Sequence, residues 1–387
     1  MIETSFGIVA TLISIEVFVL WISEYPLLKK YFKFLPAVFW IYFIPMIFST
    51  FHVVSPASPV YQSISKYCLP VSLFLLLLGV DVPAILKLGK IALITMLAGS
   101  FGIFFTAPIV LLLFKHWLPQ DAWMGFGALS GSWIGGSANM IAVKEAIHAP
   151  ESVFLPMIAV DVIVSYSWMG ILIALASYQQ QYDTWNQSNR KIIQELRNKT
   201  SNQAAKKFKG FKASSLIQML GLAVCATLFS IWISKLIPEM KNFSANTWVI
   251  IIVSSLALAF SFTPLRKLES AGTSKVGYWV LYFVLTSIGA KANLADITSA
   301  PVLILAGFVW VFLHFLFMIA ISRVTKAPLA LIATASQANI GGPVSAPIVA
   351  AVYEPTLASV GLLLGIFGNI VGTYFGLLCS KLCDWIH

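Results

Sequence analysis

Twelve apolar runs follow one another along this 387-residue chain, near 4–22, 35–52, 66–80, 90–114, 122–148, 152–178, 214–237, 245–262, 275–291, 300–322, 327–353 and 356–383. A helix needs about 20 apolar residues to cross a hydrocarbon core of about 30 Å. Inside that core every backbone N–H and C=O must be satisfied by the chain itself, so only helices and closed barrels span. The runs here are continuous rather than alternating, which excludes a barrel. The chain reads as an all-α integral membrane protein of the multi-pass kind. Its 10% of charged residues agrees with this, because soluble domains carry about 25%. The first run is preceded by Glu3 and no basic residue, so it reads as a span rather than a secretory signal.

Two of these runs contain a Gly-Gly step among small polar residues. The first reads Leu129-Ser-Gly-Ser-Trp-Ile-Gly-Gly-Ser-Ala-Asn-Met140 and the second Ala335-Ser-Gln-Ala-Asn-Ile-Gly-Gly-Pro-Val-Ser345. Glycine pairs favour helix breakage, and broken backbone survives at membrane depth only where it is buried in protein or lines a cavity. Paired breaks in corresponding places of two halves point to a transporter's binding site. Pro343 and Pro347 follow the second pair and remove backbone donors. The first pair lacks such prolines, so the two places are not equivalent.

The correspondence extends beyond the glycines. Asp161-Val-Ile-Val-Ser-Tyr166 parallels Asn369-Ile-Val-Gly-Thr-Tyr374 at a separation of 208 residues, and Gly135 parallels Gly341 at 206. An internal duplication is the simplest account. The expected organisation is a first repeat over 1–178, a basic cytoplasmic loop over 179–213 and a second repeat over 214–387.

Charge sets the orientation. The formal net charge is +10, and +6 of it lies between Tyr178 and Ser214, where Arg190, Lys191, Arg197, Lys199, Lys206, Lys207, Lys209 and Lys212 face only Asp183 and Glu195. Such a loop obeys the positive-inside rule and suits anionic lipid, so nucleic acid is not an expected partner. Basic residues of the first half (Lys29, Lys30, Lys33, Lys87, Lys90) and of the second (Arg266, Lys267, Lys275, Arg323, Lys326) make the two repeats inverted. Six crossings from an outside N-terminus would nevertheless leave the long basic loop outside. Either the short run at 66–80 does not cross or a Gly-Gly run is re-entrant, which gives about ten to thirteen spans.

Asp161 is the leading chemical candidate, because an acid near mid-membrane costs roughly 2.5–3.5 kcal/mol and is a functional hypothesis by default. It would hold Na⁺ or carry H⁺. Asn369, at the matching position, offers an amide oxygen but does not titrate. Around the breaks, Ser130, Ser132, Gly135, Gly136, Ser137 and Asn139 in the first run, with Ser336, Gln337, Asn339, Gly341, Gly342 and Ser345 in the second, form the candidate ion and substrate site. Asp161, Asn139 and Asn339 are the candidate Na⁺ ligands. Exposed carbonyls at a helix break suit a cation, and the positive N-terminal end of a half-helix suits an anion. The competing explanation is close helix packing through small residues, with Ser and Asn bonding across helices.

His314 reads as a neutral hydrogen-bonding group rather than a proton carrier, and Glu16 as facing another helix. Lys144 and Glu145 either pair or snorkel. Cys68, Cys225, Cys379 and Cys383 form no metal or redox pattern. No Walker loop, HExxH or nucleophile elbow is present, so the chain is not expected to be an enzyme.

The stretches Ser132-Trp-Ile-Gly-Gly-Ser-Ala-Asn139 and Ala333-Thr-Ala-Ser-Gln-Ala-Asn-Ile-Gly-Gly-Pro-Val-Ser-Ala-Pro347 resemble the domain-of-unknown-function 819 (DUF819) family of bacterial and plastid membrane proteins. That family is grouped with the cation:proton antiporter and bile-acid:sodium symporter superfamily. The resemblance implies two crossing discontinuous helices, a core domain set against a panel domain, elevator-like alternating access, and coupling to Na⁺ or H⁺. It places the breaks at Gly135-Gly136 and Gly341-Gly342, and an ion-binding acid at Asp161. Related antiporters often carry two adjacent acids, whereas Val160 precedes Asp161 here.

The expected function is a secondary active transporter of a small organic, plausibly anionic, solute in the inner (cytoplasmic) membrane. Its partners are the bilayer and the solute, with a homodimer left open, and no cofactor is expected beyond Na⁺ or H⁺ as coupling ion. The alternatives are a cation:proton antiporter without an organic substrate, or a channel or non-transporting membrane partner.

Overall fold

The computed structural model describes residues 1–28, 32, 37–189, 191–200, 210–237, 245–292 and 300–386. Among them the only β pairing is an isolated bridge between Ile2 and Val54; the rest is helix and short connection. Among the described residues seventeen α-helices follow in order: Ser5–Glu24 (α1), Ala37–Thr50 (α2), Pro59–Leu78 (α3), Val82–Leu86 (α4), Lys90–Phe114 (α5), Ala122–Gly135 (α6), Ser137–Ile147 (α7), Glu151–Ala174 (α8), Gln179–Asn186 (α9), Lys191–Thr200 (α10), Ala213–Leu236 (α11), Ala245–Ser261 (α12), Thr273–Gly289 (α13), Ala300–Thr325 (α14), Leu329–Ile340 (α15), Gly342–Tyr353 (α16) and Ala358–Ile386 (α17).

Seven of these are long and apolar enough to cross a membrane, or eight if α12 and the sharply bent 3₁₀ turn after it count as one broken span. This is fewer than the ten to thirteen expected, for a local reason. The runs at 122–148 and 327–353 are each divided into two short helices, and α2 and α13 have only 14 and 17 residues. The doubtful run at 66–80 proves to be the end of a full 20-residue helix, α3. Ser58 caps it, its hydroxyl accepting from the Val60 N–H at 3.4 Å, and Pro59 supplies the fixed φ of a first turn. Gln62 and Lys66 in its early turns dilute the apolar signal and hide the true start.

The chain divides into two compact units interleaved along the sequence: Met1–Val80, Glu145–Ile158 and Phe208–Ala300 in the first, Asp81–Lys144, Ala159–Lys207 and Pro301–His387 in the second. In the first unit α3 is the central element, packed by α11, α12 and α13, while α1 and α2 pack on each other and on α13. A Cβ on Gly289 would strike the Tyr42 carbonyl, so that glycine sets the approach of α13 to α2. Lys291 and Glu151 form an ion pair at 3.0 Å in this unit.

In the second unit α17 runs against α5, α6, α15 and α16. The expected cytoplasmic loop at 179–213 is structured over its first part. Asp183 Oδ1 accepts the Leu329 N–H at 3.0 Å, Asn186 donates to the Ala327 carbonyl at 3.0 Å, and the Asn189 N–H donates to the Lys326 carbonyl at 2.9 Å. Arg323 donates to the Trp185 carbonyl at 2.7 Å and stacks over its ring at 4.2 Å. These bonds fasten α9 to the start of α15. Farther on, α10 packs on the turn at Pro355–Leu357 and on α17, burying Ile192 and Leu196. Arg190, Lys206, Lys207 and Lys209, with Lys29, Lys30 and Lys33 of the first half, lie outside the described residues.

Candidate functional site

Both Gly-Gly steps interrupt their helices. The first interrupted helix, α6, ends at Gly135, with the Gly136 N–H returning to the Ser132 carbonyl at 2.5 Å, and α7 restarts at Ser137. Gly136 adopts φ +83°, ψ 173°, a conformation that only glycine takes without strain. At the second step α15 ends at Ile340, the Gly341 N–H returns to the Gln337 carbonyl at 2.8 Å, and Gly342 opens α16 at φ +68°. Pro343 follows as the second residue of α16, where its missing N–H is not needed.

The two breaks meet the same helix. Along α17, a Cβ on Gly361 would press on the Ala346 backbone, and one on Gly365 on Gly342 and Pro343. One turn farther, a Cβ on Gly368 would collide with the Ile134 carbonyl, one on Gly372 with Gly135, and one on Gly376 with Gly131; Gly127 in turn meets Ser380. Thus α17 packs backbone to backbone, antiparallel, on the Gly127, Gly131, Gly135 face of α6, the close approach that small residues at four-residue spacing permit. Gly365 and Gly368 are about 4.5 Å apart along the axis at 1.5 Å per residue. The breaks therefore lie within roughly one turn of each other along α17.

Side chains tie the first break down. The Asn139 amide donates to the Gly135 carbonyl and, at 3.4 Å, to that of Asn369, and its oxygen accepts from the Thr373 hydroxyl. Asn139 is buried, whereas Asn369 and Ser137 are partly exposed. The Asn369 side-chain oxygen lies beside Gly136, 3.5 Å from where a Cβ would be.

Asp161 sits on α8 and accepts from the Ser132 hydroxyl at 2.9 Å. One turn on, Ser165 donates to the Ile340 carbonyl at 2.9 Å, and Trp168 donates to Ser336 at 3.0 Å. The i, i+4, i+7 stripe of Asp161, Ser165 and Trp168 faces one side of the helix. It thereby reaches α6 just before the first break and α15 just before the second.

At the second break Gln337 Nε2 donates to Ser345 at 2.8 Å, and Gln337 Oε1 is buried without a hydrogen-bond partner. His314 is fully buried, its ring nitrogens bonded to the Gly99 carbonyl at 2.9 Å and to Ser336 at 3.0 Å. Those bonds make His314 the hydrogen-bonding group expected of it.

Two candidates point elsewhere. Asn339, grouped with the site as a cation ligand, turns to α5: its oxygen accepts from Ser100 at 2.8 Å and its amide donates to the carbonyls of Met96 at 3.1 Å and Ala335 at 3.0 Å. Those bonds occupy the amide in holding α15 against α5. Ser130 bonds the Gly127 carbonyl within α6. Conversely Thr373, Ser165, Trp168 and the α17 glycines belong to the site and were not among the sequence candidates. Among the described residues no three His, Cys, Asp or Glu side chains gather to hold a metal ion. A cation here would rely on the one carboxylate and on neutral oxygens.

Residues 10–384 match a protein family described as "Protein of unknown function (DUF819)". The chain belongs to the DUF819 family. A relative from Bacillus subtilis (strain 168), the "Uncharacterized membrane protein YjcL", is 25% identical over 342 residues, covering 86% of this chain and 85% of the relative. This DUF819 chain is thus a multi-pass membrane protein, and the matched residues include both helix breaks.

Proposed function

We propose that this DUF819 protein is a secondary active transporter. It moves a small organic, anionic solute coupled to Na⁺ or H⁺, and it performs no enzymatic reaction. The observation that carries this reading is the convergence of two broken helices on α17, with a lone acid, Asp161 of α8, accepting from Ser132 one turn before the first break. Half-helix C-terminal ends present carbonyl oxygens to a cation, and N-terminal ends at Ser137 and Gly342 present N–H groups to an anion. Asp161, Ser132, Gln337 and Asn369 are the side chains we assign to the ion and solute, while Asn139 and Thr373 hold the first break in shape.

The interleaved units support the wider reading. Each takes the same three runs from each half of the chain, the first unit mainly those before 80 and between 208 and 300. That is what a duplicated, inverted chain of the cation:proton antiporter and bile-acid:sodium symporter kind would give. The second unit, which holds both breaks, would be the moving core of an elevator-like cycle. The bilayer is the cytoplasmic membrane.

The test is flux in proteoliposomes loaded with a mixture of small carboxylates and amino acids, read by mass spectrometry under an imposed Na⁺ or pH gradient. Asp161→Asn should abolish gradient-driven flux while the purified protein melts within a few degrees of wild type. Wild-type flux in that variant would remove Asp161 from the mechanism. Gradient-driven proton release with no solute moved would instead favour a cation:proton antiporter, a reading that the lone carboxylate also allows.

A further inference from the structure

Contacts within the second unit give each half of the two interrupted helices a direction. Along α17, Gly368, Gly372 and Gly376 meet Ile134, Gly135 and Gly131 in turn, so α6 runs antiparallel to α17. The other half of that segment runs the opposite way. Asn139 bonds Asn369 and Thr373, and one turn on the Val143 side chain lies against Gly376, so α7 runs parallel to α17. A Cβ on Gly131 of α6 would stand 3.0 Å from Val143 and 3.1 Å from the Asn139 carbonyl. In a helix that ran straight on, eight residues would separate Gly131 from Asn139 by about 12 Å. The chain therefore turns back on itself at Gly135-Gly136.

The second segment also reverses. Gly361 and Gly365 of α17 meet Ala346 and Pro343 in turn, so α16 is antiparallel to α17. The direction of α15 follows through its neighbours. Met96 lies against Gly368, and Phe101 and Phe104 meet Phe375 edge to face, so α5 is parallel to α17. His314 bonds the Gly99 carbonyl and Trp310 that of Ile103, so α14 is antiparallel to α5. Val160 and Val164 lie against Gly307 and Trp168 against Phe315, so α8 is parallel to α14. Ser165 and Trp168 bond Ile340 and Ser336, so α15 is antiparallel to α8 and runs with α17. Its partner α16 runs against α17, and the turn lies at Gly341-Gly342.

We propose that the two Gly-Gly steps are the tips of two re-entrant hairpins that enter the membrane from opposite faces. The longest of the four half-helices, α6, has 14 residues. It rises about 21 Å, short of a core of about 30 Å, so a hairpin built from such pieces reaches in and returns without crossing. The α15 half starts at the face where α17 starts, and the α6 half at the face where α17 ends. The start of α15 is fastened to α9, and the turn before α17 is covered by α10. Both α9 and α10 belong to the basic stretch, which the positive-inside rule puts in the cytoplasm. The α15–α16 hairpin thus enters from the cytoplasm and α6–α7 from outside, and each break is the part of the site reached from its own face. Crossing helices, which the family resemblance implies, would leave the two flanks of each segment on opposite faces. The inference holds whether or not the protein transports.

Single cysteines at the four flanks test it, in a background with Cys68 and Cys225 replaced by alanine and the buried Cys379 and Cys383 kept. Right-side-out and inside-out membrane vesicles are treated with a membrane-impermeant maleimide. Gln120→Cys and Ser152→Cys should label in right-side-out vesicles and lose that labelling in inside-out ones; Val324→Cys and Glu354→Cys should do the reverse. Labelling of Gln120→Cys and Ser152→Cys from opposite faces overturns the first hairpin, and the same result for Val324→Cys and Glu354→Cys overturns the second. All four labelling from one face overturns the opposite entry. A position that labels only in detergent is moved to the next exposed residue of the same connection. None of these readings depends on flux, so they stand apart from the fate of the transport proposal.

Discussion

Gly372→Ala isolates the contact that brings the first break onto α17. A Cβ at Gly372 would stand 2.5 Å from Gly135 Cα and 2.8 Å from Gly135 N. Ordinary Cβ contacts begin near 3.4 Å, so α17 and α6 must separate by about 0.9 Å, and neither backbone atom has a rotamer to yield. Gaps of about 0.5–1 Å forfeit a quarter to a half of each van der Waals contact, and this face has a ladder of them at Gly131, Gly135, Gly368 and Gly376. Overpacking of this kind costs about 1–3 kcal/mol. Gly170→Ala on α8 is the matched control, since nothing lies within 4 Å of its Cβ position. There the substitution removes only the helix penalty of glycine and should stabilise by about 0.5–1 kcal/mol. The two variants should therefore shift stability in opposite directions and differ by about 1.5–4 kcal/mol. Thermal unfolding in one detergent, followed by tryptophan fluorescence, measures the difference. If Gly372→Ala melts at or above Gly170→Ala, the backbone contact between α6 and α17 is not what holds the break, and the packing argument fails.

Gly136→Ala should destabilise by about 1–3 kcal/mol through backbone strain alone, because its Cβ would meet only Asn369 Oδ1 at an ordinary 3.5 Å; an unchanged melting temperature would show that the first break is not held in the glycine conformation. Asp183→Ala should cost about 0.5–2 kcal/mol by removing the cap from α15, raising hydrogen exchange at the Leu329 amide, and Asp183→Asn should restore most of it because an amide oxygen still accepts from that N–H.

How far the sequence discloses this arrangement depends on whether a feature is local. The breaks are legible because Gly136 and Gly342 need positive φ, and glycine is the residue that tolerates it. The start of α3 is encoded just as locally, in Ser58-Pro59, but polar residues in its first turns mask the apolar pattern. Within the basic stretch, the apolar Ile192 and Leu196 at i, i+4 mark a packed helix that the charge count conceals. Long-range partners are another matter. Asn139 follows its Ile-Gly-Gly step and Asn339 precedes its own; one ties its break to Asn369 and Thr373 and the other ties α15 to Met96 and Ser100. Neither motif names the partner; the neighbouring helix decides. The glycine spacing on α17 is visible in the sequence, but its match to Gly127, Gly131 and Gly135 requires knowing that the helices are antiparallel neighbours.

The ties at the breaks are exchanged between the two halves, and this bears on how one site is made from two. Ser165 on α8, the helix after the first break, bonds the carbonyl that ends α15 at the second. Asn369 and Thr373 on α17, the helix after the second break, are bonded by Asn139 at the first. Each interrupted helix is thus positioned by the helix that follows the other, so neither break can shift without pulling on both. The matched positions 161 and 369 then carry one carboxylate and one amide. On the transporter reading that asymmetry sets the charge: two acids would hold two cations, whereas one acid beside a neutral oxygen donor is balanced by a single monovalent ion or a single proton. Packing alone would account for the glycines and the asparagine ties, but it gives no reason to place an acid between two broken helices.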